Sequence, residues 1–291
     1  MAQSVEILTA VLAVAGMGYF VAALIAARVF LAGRRGTLAA FAPGVSVLKS
    51  LKGLDPGMLD AFRSHCRQSY AGEFELLFGV SSLADPAASA VSQLMAEFPD
   101  LAIRLIVCPE RLGSNGKVNT LVQLAAQARH PYLLINDSDI TVSPRYLERV
   151  MACFAPPDPS SVAKARLDQA ASTARLKSCP DTSCLSKAVF SQPLKPPPPS
   201  GVSSSAVPAQ KVGLVTALYR GRAHGTLPSR LEALGIATDF QAGVLLSKWI
   251  EGGLHYGLGS TLAIDREALD KIGGLLPLVD HLADDYELGA R

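Results

Sequence analysis

Between Gly44 and Asn136, four short apolar runs alternate with three longer stretches of helical periodicity, and few folds accommodate that alternation. Gly44 to Leu48, Phe74 to Val80, Ile103 to Val107 and Tyr132 to Asn136 have strand length and apolar character. Leu59 to Gln68, Ala87 to Phe98 and Lys117 to Ala128 gather their apolar residues at helical spacing. The pattern predicts an α/β fold with a mostly parallel sheet covered on both faces, whose ligands bind beyond the carboxyl ends of the strands. It resumes further on with a strand from Val212 to Tyr219, a helical region from Leu227 through Trp249, a strand from Leu258 to Ile264 and a short helix from Arg266 to Lys271, stopped by Gly273-Gly274.

Ahead of this, Ile7 to Ala27 carries no charge and is long enough, at about 1.5 Å per helical residue, to cross a hydrocarbon core of about 30 Å. Only Glu6 precedes the run, whereas Arg28, Arg34 and Arg35 follow it. The positive-inside bias therefore predicts a single-pass membrane protein with the remainder cytoplasmic. A cleaved signal peptide would begin with a basic region and be shorter, and a buried core helix would not be apolar on all faces. The 49% share of hydrophobic residues fits a membrane association, and a net charge of +2 with scattered basic residues excludes a nucleic-acid footprint. Cys66, Cys108, Cys153, Cys179 and Cys184 read as reduced cytoplasmic thiols, and the Cys179/Cys184 pair has no further zinc ligands nearby.

Four regions follow: a membrane anchor with its basic flank at residues 1–35, one half of an α/β domain at 42–155, a Pro/Ser-rich disordered insertion at 156–210, and a second half at 211–291. The strand Leu133 to Asn136 ends in Asp137-Ser138-Asp139, which puts two hard carboxylate ligands at the rim of the sheet, where a divalent cation and a diphosphate can be held. The loop Leu112-Gly113-Ser114-Asn115-Gly116-Lys117 offers a phosphate its amides, a helix start and a lysine; it is equally a glycine turn with a solvated lysine. It is not a Walker loop, since Arg111 and Val118 stand where Gly and Ser/Thr are required, and Gly257-Leu258-Gly259 lacks the third glycine of a dinucleotide fingerprint. Asp85-Pro86 suits a nucleotide contact or a helix N-cap, and both readings hold together. Ala283-Asp284-Asp285-Tyr286-Glu287 supplies a candidate general base or an acidic helix start, while Trp249, His255 and Tyr256 suit a sugar, a lipid or the core.

Taken in order, Asp85, Asn115-Gly116-Lys117-Val118-Asn119, Asp137-Ser138-Asp139 and Ala283-Asp284-Asp285-Tyr286 resemble the ceramide glucosyltransferase family of membrane-bound inverting glycosyltransferases. Val45-Ser46-Val47-Leu48-Lys49 and Val212-Gly213-Leu214-Val215-Thr216 are most similar to its bacterial hopanoid-biosynthesis relatives. The resemblance implies a GT-A fold behind an N-terminal transmembrane helix, a UDP-sugar donor, Mg²⁺ or Mn²⁺, and a membrane lipid acceptor. It assigns Asp85 to the nucleotide, Asn115 to donor binding, Lys117 to the donor phosphates, Asp137 to the diphosphate, Asp137 and Asp139 to the metal, and Asp285 to deprotonation of the acceptor hydroxyl. Family members continue with a Gln-x-x-Arg-Trp motif, absent before Arg291, which implies a C-terminally truncated chain. The alternatives are a catalytically silent nucleotide-sugar-binding membrane protein and a cytosolic nucleotidyltransferase.

Overall fold

The structure, a computed structural model, describes residues 2–33, 40–156, 191–193 and 211–291. The chain divides into two compact units, one built from the N-terminal helix and residues 218–254, the other carrying the sheet.

In the sheet unit, seven strands run in the order β3-β2-β1-β4-β7-β6-β5. These are β1 (Val45–Ser50), β2 (Phe74–Val80), β3 (Ala102–Val107), β4 (Tyr132–Ile135), β5 (Ser191–Pro193), β6 (Val212–Thr216) and β7 (Leu262–Asp265). The first four are mutually parallel, whereas β7 pairs antiparallel with both β4 and β6. The sheet is therefore mixed rather than mostly parallel. Crossover helices enforce parallel pairing only in the first half, and β6 and β7 then enter with opposite directions.

Successive residues of a strand face opposite sides, and the core divides accordingly. Val45, Val47, Leu76, Phe78 and Leu134 pack under α2 (Met58–Cys66), α3 (Pro86–Glu97) and α5 (Tyr146–Met151). Leu48, Leu77, Leu133 and Ile135 pack under α4 (Gly116–Gln127), with Leu269 and Leu288 from later helices. A Cβ at Gly79 would overlap the Thr120 methyl, so only glycine lets α4 lie this close to β2.

The expected strands end earlier or start later near the rim. β6 stops at Thr216, whose hydroxyl accepts from Leu258 N at 2.9 Å, and residues 258–261 form a tight turn before β7 begins. Most of the expected 156–210 insertion, with Cys179 and Cys184, lies outside the described residues. Ser191–Pro193 is an exception, pairing antiparallel with β6 across a register shift at an edge where a proline is tolerated. Burial pushes the thiols of Cys66 and Cys108 up to about 12 and 11, which keeps both protonated.

The other unit contains α1 (Ala2–Gly33), α6 (Leu227–Gly235) and α7 (Gln241–Glu251), the last two joined by a π-helical turn at Ile236–Phe240. The N-terminal helix is long and apolar enough to cross a membrane, with a mean hydropathy of 2.2.

Candidate active site

The candidate residues converge where the parallel half of the sheet meets β7. Asp137 and Asp139 follow β4 directly. A Cβ on Gly259, in the turn before β7, would stand 3.3 Å from Asp137 Oδ2 and 3.1 Å from Asp285 Oδ2. Two carboxylates distant in sequence thus flank one backbone position, where any side chain would press on both.

Asp285 arrives on α9 (Asp284–Ala290), whose start is bound to the glycine loop; α8 (Arg266–Lys271) precedes it. Asn115 N donates to Val279 O at 2.7 Å, Ser114 N to Asp280 Oδ1 at 2.8 Å, and Asn115 Nδ2 to His281 O at 2.7 Å. Within the loop, Asn119 Oδ1 accepts from Gly113 N at 2.9 Å, and Asn115 Oδ1 caps α4 by accepting from Lys117 N and Val118 N. The amide cradle expected for a phosphate is therefore occupied internally: the N–H groups of residues 112–115, 117 and 118 already have acceptors. Asn115 organises the loop, and Lys117 extends its ammonium from the first turn of α4.

Lys117 Nζ lies 2.6 Å from Asp137 Oδ1 and 3.8 Å from Asp284 Oδ2. Burial disfavours its charge, but Asp137, Asp284 and Asp285 outweigh that and hold the ammonium above its usual range. Asp284 is buried, and burial together with Asp285 raises its carboxyl against the pull of Lys117.

Lys49 is a further residue of the site, one to which no motif in the sequence assigns a role. It is 1% exposed on β1, and its ammonium donates to the main-chain oxygen of Asp137 at 2.8 Å. Burial pushes it down to about 7, opposed by Asp137 and Asp139. The available signal was a lysine one residue from the end of a strand whose other residues are apolar or serine. Beside it, the buried Asn136 donates to Ser260 O at 2.6 Å and to the Tyr146 hydroxyl at 2.9 Å, tying the end of β4 to the turn that carries Gly259. His65 Nε2 approaches Asn136 Oδ1 at 3.3 Å, and burial and Lys49 push this imidazole down to about 3, so it is neutral.

Asp85 has the N-cap geometry. One oxygen accepts from Ala87 N at 2.9 Å, and both accept from Gly53 N, at 3.0 and 3.1 Å. Tyr256 stacks on Tyr286 with ring centroids 6.1 Å apart, next to Asp285. Trp249 belongs to the other unit.

Among the described residues no three His, Cys, Asp or Glu side chains form a ready metal cage. A divalent cation that keeps waters and borrows phosphate oxygens needs only one or two carboxylates. Asp137 Oδ2, which Lys117 does not engage, and the exposed carboxylate of Asp139 suit that donor set.

The fold is similar to that of a mannosyltransferase from Pyrobaculum calidifontis, solved with GDP-Man and Mn²⁺, at a TM-score of 0.51 and 18% identity over 92% of this chain and 59% of that one. This is the GT-A architecture. Ceramide glucosyltransferase 1 of Caenorhabditis elegans is 35% identical over 102 residues, 35% of this chain and 22% of that protein. The ceramide glucosyltransferase of Komagataella phaffii is 30% identical over 110 residues, 36% and 21% respectively. The matches thus span about a fifth of these relatives' length. A family model described as glycosyl transferase family 21 matches residues 8–179 and 204–291 and takes in both halves of the site, so the chain belongs to glycosyl transferase family 21.

Proposed function

We propose that the chain is the glycosyltransferase domain of a membrane protein, moving a hexose or N-acetylhexosamine with inversion from a UDP-sugar to a lipid hydroxyl. The observation that carries this reading is the pairing of Asp285 with Asp137 across Gly259, beside Lys117. An inverting displacement needs a base on the acceptor side and positive charge on the leaving side, within one sugar's reach of each other.

Asp285 accepts the acceptor's hydroxyl proton as the oxygen attacks the anomeric carbon, and the bond to the diphosphate breaks with its electron pair leaving on UDP. Lys117 exchanges Asp137 for a donor phosphate oxygen and offsets the charge there. Lys49 fixes the Asp137 turn from beneath, so the carboxylates stay aimed as the donor enters and leaves. A Mg²⁺ or Mn²⁺ ion held by Asp137 and Asp139 would supply Lewis-acid charge to the leaving diphosphate. Helix α1 keeps the domain at the membrane, on the cytoplasmic side by the charge bias of its flanks.

The test is transfer of labelled sugar from UDP-glucose and UDP-N-acetylglucosamine into a lipid extract by detergent-solubilised chain with Mn²⁺, with Asp285→Asn as control. Label in the lipid phase that disappears in the variant is the expected result. Donor binding without transfer, unchanged by Asp285→Asn, would instead identify a catalytically silent nucleotide-sugar-binding protein.

A further inference from the structure

In the unit that contains α1, the helical run from Leu227 to Glu251 exposes apolar side chains that a water-facing surface would not carry. Leu227, Leu231 and Leu234 are 68%, 58% and 58% exposed, and their spacing of four and three places them on one face of α6. Nothing in α6 is buried. At the far end of the run Trp249 and Ile250 are exposed as well, before Gly252 ends α7 in the left-handed conformation.

The depth at which this run meets α1 says what covers it. The covered positions of α1 are Tyr19, Ala22, Ala23, Ala26, Ala27 and Phe30, a single helical stripe. Its partner in this unit is α7, with a Cβ on Gly243 3.5 Å from the Tyr19 hydroxyl. All of these but Phe30 lie inside the charge-free run of α1. A helix packed there sits at the level of the acyl chains if α1 crosses the bilayer. The remaining apolar face of α6 and α7 then meets lipid, while Arg220, Arg222 and His224, just before the run, suit anionic headgroups.

We propose that Leu227–Glu251 is a membrane-inserted element that sinks its apolar face into the leaflet beside the C-terminal half of α1. This rests on the reading of α1 as membrane-spanning. The occupant is the acyl-chain layer of a bilayer, reached from the side of the basic cluster.

Trp249 is the only tryptophan of the chain and reports on the element directly. The full chain is reconstituted into phosphatidylcholine/phosphatidylglycerol vesicles, with or without bromine on the acyl chains near the headgroup. The expected result is blue-shifted emission, shielded from aqueous iodide and reduced about twofold or more by the shallow bromines, as for a ring about 5–10 Å into the interface. Blue-shifted emission that bromolipid leaves unchanged would mean that protein, such as a second copy, covers the ring, and would overturn the proposal. Iodide-accessible emission would overturn it too. A chain carrying both Leu12→Trp and Trp249→Phe separates this failure from that of the anchor. If the indole introduced by Leu12→Trp is quenched by bromines at the bilayer centre while Trp249 of the unaltered chain escapes quenching, only the inserted element falls; if neither is quenched, the membrane-spanning reading falls with it.

Discussion

Replacing Asp85 with Ala separates its two roles, helix cap and nucleotide contact. The carboxylate accepts from Ala87 N at the start of α3 and from Gly53 N in the loop after β1, joining two segments 32 residues apart. Loss of an Asp N-cap costs about 0.5–2 kcal/mol. The charge-assisted bond to Gly53 adds about 1.5–3 kcal/mol, toward the lower end for this half-buried group. The expected total is about 2–4 kcal/mol, which in a domain of this size lowers Tm by about 5–15 °C. Asp85→Asn keeps an equally good capping oxygen and should recover most of that loss. Thermal unfolding of the detergent-solubilised variants measures the first effect, and UDP titration of the folded proteins the second. If Asp85→Ala unfolds within about 1 °C of the wild type, the energetic reasoning is wrong, because both backbone donors would have found equivalent partners. If Asp85→Asn is stable but binds UDP about tenfold more weakly, the carboxylate also serves the nucleotide.

Three further outcomes are expected. Lys117→Met should weaken UDP-sugar binding by about 10- to 100-fold, the value of a lost charge-assisted bond, and flatten its salt dependence; unchanged affinity in a titration at two ionic strengths would remove Lys117 from the donor site. Gly259→Val should cost about 10²-fold or more in transfer while leaving Tm within a few degrees, because its side chain must part Asp137 from Asp285; a fully active variant would show that their spacing is immaterial. Glu75 is buried; burial alone would raise its carboxyl, but bonds from Arg129 N and Ser46 Oγ, with the charge of Arg104, hold it below the usual range. Its stabilisation is thus complete above about pH 4.5 and is lost as pH falls through the depressed folded value, so Glu75→Gln should destabilise the protein at pH 7 and shrink the difference in acid, read by urea unfolding across pH.

The strand and helix pattern from Val45 to Asp139 was legible because each apolar run serves one face of a buried sheet, and burial writes a period into sequence. The rim was legible in part. Asp137 and Asp285 announce themselves as carboxylates at the ends of apolar segments, yet their meeting across Gly259 depends on an antiparallel strand whose direction no local pattern reveals. The glycine loop is more committed than its residue types suggest, since they invite a phosphate on the amides while Asn115, Asn119 and Asp280 have already taken several of those donors. Lys49 stayed hidden because a charged residue inside a strand reads as an edge or a solvent face, and its use emerges only when the turn after β4 closes over it.

The two lysines divide the electrostatic work of a rim that holds Asp137, Asp139, Asp284 and Asp285. Such a cluster repels itself and repels a diphosphate, so it needs both a turn held in place, which Lys49 provides by its bond to the Asp137 carbonyl, and a mobile positive charge, which Lys117 provides. Lys49 is enclosed and bonded to a backbone carbonyl, so its place is fixed whatever the ligand state. Lys117 is partly exposed and bonded to a carboxylate oxygen, an interaction that a phosphate oxygen can replace on equal terms. Under the proposed reaction the fixed lysine maintains the turn, and the exchangeable one follows the substrate, returning to Asp137 when UDP departs. Under that reaction Asp137 is held from two sides by two different atoms for two reasons: its carbonyl serves the scaffold and its carboxylate the proposed catalytic cycle.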